Sequence, residues 1–98
     1  MRGINRVIVS GVVAAPITFA KTDSGAEVCT FGINLERHAN GSLVTASVKI
    51  NVYMEALVRL ARTKLSEGCY LIVEGELMNR QTPHGRVTEV RAWEMLFI

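Results

Sequence analysis

The chain has 98 residues, 49% of them apolar and 20% charged, which fits one globular domain over residues 1–98 and excludes a disordered tract or a multidomain enzyme. Its net charge of +2 is too small to identify a polyanion binder without knowing where the charges sit. No apolar run reaches the roughly 18 residues that cross a bilayer, and MRGINRVIVSG has no long apolar stretch of a secretory leader. The expectation is a cytoplasmic protein with no membrane partner. Its two cysteines, Cys29 and Cys69, are read as reduced core residues because their spacing matches no zinc motif.

Residues 6–13 (RVIVSGVV) are rich in valine and isoleucine and predict a first strand, with Gly11 marking a bulge or a close backbone approach. Pro16 is expected to end it, since proline donates no ladder hydrogen bond. Residues 17–20 and 28–36 flank a turn with Asp23, Ser24 and Gly25, a hairpin signal. The second arm alternates, so Cys29, Phe31, Ile33 and Leu35 share the core face. Asn40-Gly41 predicts a tight turn into a third strand over 44–53. There Val48, Ile50 and Val52 face one way, and Ser47, Lys49, Asn51 and Tyr53 the other.

The period then changes. Met54, Leu57, Val58, Ala61 and Leu65 form one stripe of a helix, with Gly68 as the expected C-terminal cap. Residues 69–77 predict a fourth strand, 79–86 a polar loop, and 87–97 a final strand. Three strands, a helix and two more strands is the order of an all-β OB-fold, a five-stranded Greek-key barrel with one helix between strands 3 and 4. An open α+β sheet is the structural alternative.

Little here points to catalysis. His38 and His84 fall in separate predicted loops, and neither has a second histidine at metal spacing. Glu74 and Glu76 share one strand face, the ordinary arrangement of a solvated surface. No glycine-rich turn precedes the helix to hold a phosphate. The expectation is no enzyme, no cofactor and no metal.

Two blocks carry a family resemblance. RGINRVIVSGVV, followed by Pro16, resembles the start of bacterial single-stranded DNA-binding (SSB) proteins, although Ala15 stands where that family usually has aspartate. The stretch from Lys49 through LSEGCYLIVEGEL resembles the family's third strand, helix and fourth strand, and Val87-Thr88-Glu89-Val90 its closing strand. The resemblance implies binding of single-stranded DNA without sequence readout, in DNA replication, recombination or repair, by a nucleoid-associated protein. It also implies a homo-oligomer, tetramer or dimer, with the first strand at a subunit contact.

The chain departs from that family in two ways. Its stacking tryptophans would align near Ala39, Ser47 and Thr82, none of them aromatic, while a fourth aromatic position is kept as Tyr53. The sequence ends in strand residues at Ile98 rather than in an acidic partner-recruiting tail. Both features resemble a short PriB-like primosomal paralogue, which makes an adaptor between replication-restart proteins the alternative function.

Tyr53 is the leading candidate for stacking on a base, because it lies on the polar side of its strand. Lys49 shares that side and is a phosphate candidate. Arg37, Arg80 and Arg86 are expected in the loops with which OB-folds hold strands, and Arg2 and Arg6 near the N-terminus. Trp93 is read as a packing or subunit-contact residue, and Arg59, Arg62 and Lys64 as exposed helix residues.

Overall fold

Alternation on the second and third strands builds the first wall of the core. Cys29, Phe31 and Ile33 stand opposite Val52, Ile50 and Val48, and all but Val48 are fully buried. The computed structural model describes residues 2–98, in the order β1 (Val7–Lys21), β2 (Glu27–Ala39), β3 (Ser42–Val52), α1 (Glu55–Lys64), β4 (Tyr70–Thr82) and β5 (Gly85–Phe97). The strands close into a barrel in the order β1-β2-β3-β5-β4. Every pairing is antiparallel except the short β3–β5 seam, where residues 50–52 of β3 meet 90–92 of β5 in parallel. This is the expected OB-fold barrel, with α1 between β3 and β4.

Barrel closure requires two strands to bend hard, and glycines sit at both bends. Gly11 lies where β1 leaves β4 and crosses onto β2; a Cβ there would collide with the carbonyl oxygen of Asn34. At Gly75 of β4 a Cβ would collide with the carbonyl oxygen of Arg91. The β4–β5 register slips at that point, so that Trp93 is the extra, unpaired residue of a bulge. Trp93 is accordingly 39% exposed rather than packed in the barrel.

Three sequence expectations are corrected. Pro16 does not end β1: the register shift between Ala14 and Thr18 takes residues 15–17 out of the ladder, so the missing N–H costs no hydrogen bond, and pairing with β2 resumes to Lys21. Gly68 is not the helix cap; α1 ends at Lys64 with the Leu65 N–H donating to Ala61. The Gly68 N–H instead donates to the Val13 carbonyl and ties the turn after the helix to β1. Residues 79–86 are not a loop, because β4 and β5 pair continuously out to Thr82 and Gly85 and leave only Pro83 and His84 in the turn.

The helix closes one end of the barrel with Val58 and Ala61 buried and Leu57 and Leu65 packed beside them. Arg62 is more than an exposed helix residue. It forms an ion pair with Glu27 on β2, and its guanidinium lies 4.2 Å from the centre of the Phe19 ring on β1. Cys29 is wholly buried, and burial pushes its thiol up to about 11, so it stays protonated and unreactive at neutral pH. No helix among the described residues is long and apolar enough to cross a membrane.

Candidate nucleic-acid interface

The polar side of β3 becomes the middle of an outward-facing surface. Its neighbours across the β2 ladder are Asn34 opposite Ser47, Gly32 opposite Lys49, and Thr30 opposite Asn51. Ser47 donates its hydroxyl to the Asn34 side-chain oxygen at 2.9 Å. Gly32 offers no side chain opposite Lys49, and Lys49 has no ion-pair partner among the described residues. On the other side, the parallel seam brings Arg91 of β5 opposite Asn51. Tyr53, just beyond β3, is 39% exposed, and the Arg91 guanidinium lies over its ring at 5.1 Å from the centroid. That distance is within the reach of a cation–π contact.

Behind these residues runs a side-chain chain that crosses four strands. Thr30 on β2 donates to the Asn51 side-chain oxygen at 3.4 Å, a long bond. Asn51 Nδ2 donates to Glu89 Oε1 at 2.8 Å. Arg80 on β4 grips the same carboxylate with two bonds, Nε to Oε1 at 3.1 Å and Nη2 to Oε2 at 2.9 Å. Asn51 and Glu89 are buried, while the Arg80 side chain remains 43% exposed. The Arg80 hydrogen bonds hold the Glu89 carboxyl below its ordinary value of 4.5; burial opposes this, and the Asn51 bond and the charges of Arg80 and Lys49 add to it. A buried carboxylate with fewer partners would be costly.

The structure gathers Lys49, Tyr53 and Arg80 on this face and disperses the other candidates. Arg80 is a strand residue committed to Glu89 rather than a cation on a loop. Arg86, on β5, pairs with Gln81 of β4, and alternation turns it to the side of the β4–β5 hairpin opposite Arg80. Arg37 also lies within a strand; it stands opposite Val44, on the side of the β2–β3 hairpin away from Lys49. There it lines a groove with Ile8, Ser10 and Ala46. Arg6 forms an ion pair with Glu74 beside β1, and Arg2 is exposed on the segment that precedes the barrel. Asn5 anchors that segment, exchanging two hydrogen bonds with the Leu77 backbone at 2.8 and 2.9 Å.

Arg91, Asn51 and Glu89 are residues of this face that sequence reasoning missed. Alternation along the last strand already places Glu89 and Arg91 on one side. Their meeting with Tyr53 and Asn51 depends on the parallel seam, which no local pattern announces.

The face can present a flat aromatic ring, two cations that have no carboxylate ion pair among the described residues, and a row of amide and hydroxyl groups to an extended polyanion. Glu76 stands opposite Arg91 and tempers the charge. Among the described residues, no three histidine, cysteine, aspartate or glutamate side chains come together as metal ligands would.

No curated protein matches the sequence. Among solved structures, the fold is similar to that of the Plasmodium falciparum SSB in its complex with ssDNA, at 20% identity and a TM-score of 0.87. The match covers 100% of this chain and 97% of that one, and at this identity it speaks for the fold. The sequence itself matches the family model described as the single-strand binding protein family over residues 4–98, the whole of the barrel. The chain therefore belongs to the single-strand binding protein family.

Proposed function

We propose that this protein binds single-stranded DNA without sequence readout, on the outward face of β3, β5 and β4, and serves in DNA replication, recombination or repair. Members of its family are binding proteins rather than enzymes. The observation that carries the reading is the convergence of Tyr53, Arg91 and Lys49 on one exposed face of the barrel. An aromatic face accepts any base, and the cations hold the backbone without reading sequence. The solved relative in complex with ssDNA has the same fold over the full length of this chain, which supports the assignment.

Tyr53 is the one aromatic gathered with Lys49 and Arg91, so phosphate contacts supply a larger share of binding than stacking does. Titration of fluorescent oligo-dT of increasing length, at several salt concentrations, tests this. Tight binding at low salt that weakens steeply as salt rises is the expected result. Equal affinity for duplex and single strands, or no binding at low salt, would refute it.

A homo-oligomer belongs to the same proposal. Ile8, Ile72 and Leu96 line a groove on the outside of β1, β4 and β5, with Ile8 60% and Leu96 57% exposed. Such neighbouring apolar side chains on an outer sheet face suit burial against a second copy. Mass measurement in solution, with Leu96→Glu as the dissociating variant, checks it.

A further inference from the structure

We infer that Glu89 is a built-in competitor for the phosphates of the strand: its carboxylate occupies Arg80 in the free protein, and a phosphate must displace it to use that cation. This rests on the reading of the face as a single-strand site. The two donors that grip Glu89, Nε and Nη2 of Arg80, form the fork with which arginine takes a phosphate. The two partners differ in freedom. Glu89 is 5% exposed and fixed by Asn51, so the carboxylate stays in place. Arg80 lies on the β4–β5 hairpin with its side chain 43% exposed, so it is the partner free to turn outward.

The surroundings make the exchange feasible. Asn51 from β3 bonds the carboxylate and the charge of Lys49 acts on it, while Arg91 stands two residues along β5 and Thr30 of β2 behind Asn51. When Arg80 turns to a phosphate, the Asn51 bond and the charge of Lys49 remain to steady Glu89. The exchange adds no net positive charge to the face, because one ion pair replaces another. Arg80 therefore contributes little to the salt dependence of binding while Glu89 is charged, and its full share once Glu89 is neutral.

Glu89→Gln removes the charge and keeps the shape and an acceptor for Asn51. It is expected to bind oligo-dT at least roughly fivefold more tightly at low salt, since even an exposed ion pair reaches that scale and Glu89 is buried. The slope of log affinity against log salt should steepen by about 0.7, one more phosphate on a single strand. Arg80→Ala should leave that slope unchanged in the wild-type background and reduce it by about 0.7 in the Glu89→Gln background. Thermal melting of each variant separates these effects from loss of fold.

Unchanged or weaker binding by a folded Glu89→Gln protein would overturn the inference and make Glu89 a residue that positions Arg80 for DNA. Should Glu89→Gln not fold, Arg80→Ala alone decides: a slope lowered by about 0.7 in the wild-type background refutes the competitor role. Failure of the unmodified protein to bind oligo-dT would instead refute the single-strand reading, and this inference with it.

Discussion

The guanidinium of Arg91 lies over the ring of Tyr53, 5.1 Å from its centre, although the two residues are 38 positions apart and are brought together only by the parallel β3–β5 seam. The contact steadies the ring from one side, and Tyr53 keeps 39% of its surface exposed.

Tyr53→Ala should weaken oligo-dT binding by about tenfold, the scale of one lost stacking contact. Tyr53 is 39% exposed and lies outside the buried core, so the melting temperature should fall only modestly. Fluorescence titration beside a thermal melt checks both. Tyr53→Phe keeps the stacking face and should bind nearly as the unmodified protein does; a loss equal to that of Tyr53→Ala would point to the hydroxyl instead.

Cation variants separate the face from the other candidates. Lys49→Ala and Arg91→Ala should each lower the salt slope of oligo-dT binding by about 0.7, one phosphate contact on a single strand. Arg37→Ala and Arg86→Ala lie on the opposite sides of their hairpins and should change it by less. Equal effects at all four positions would mean that the strand wraps the hairpins rather than following the β3–β5 face.

Acid should weaken the barrel through Glu89. Its carboxyl is held below 4.5 in the folded protein, chiefly by the Arg80 hydrogen bonds, so the unfolded chain binds its proton first as pH falls. The stability it contributes is present above the ordinary glutamate range and is lost as pH drops from 4.5 through the lowered value. Glu27, lowered chiefly by its bond from Arg62, acts in the same direction. Melting temperature should decline below pH 4.5, and less steeply in Glu89→Gln; identical pH profiles would exclude Glu89 as a source.

Gly75→Ala should destabilise the fold by roughly 2 kcal/mol or more, since the added carbon has no space against the Arg91 backbone. Chemical denaturation measures this. The same change should impair oligo-dT binding in the protein that remains folded, because the backbone it pushes carries Arg91. Gly32→Ala is the control: a Cβ there meets its nearest neighbours at 3.9 Å, an ordinary contact.

The strands, the helix and the core were largely legible in the sequence. Cys29, Phe31 and Ile33 alternate with polar residues, and Leu57, Val58 and Ala61 follow the helical period, because a half-buried element writes its own geometry into its pattern. The polarity of the β3 face was legible for the same reason, and Lys49 and Tyr53 with it. Local signals misled where tertiary pairing overrode them. Pro16 and the polar run 79–86 look like breaks, yet a bulge accommodates the first and the β4–β5 ladder continues through the second.

The order of elements, the buried side of each and the family match from residue 4 to 98 are all written along the chain. Which charges meet is a matter of strand pairing. Alternation assigns a residue to a side of its own strand, but closure of the barrel chooses which strands become neighbours. The parallel seam set Arg91 against Tyr53 and Asn51 against Glu89. The β4–β5 ladder brought Arg80 to that carboxylate. A lysine and an arginine that look equivalent along the chain thereby became different things: Lys49 a cation without a carboxylate partner among the described residues, and Arg80 one already bound to a buried carboxylate.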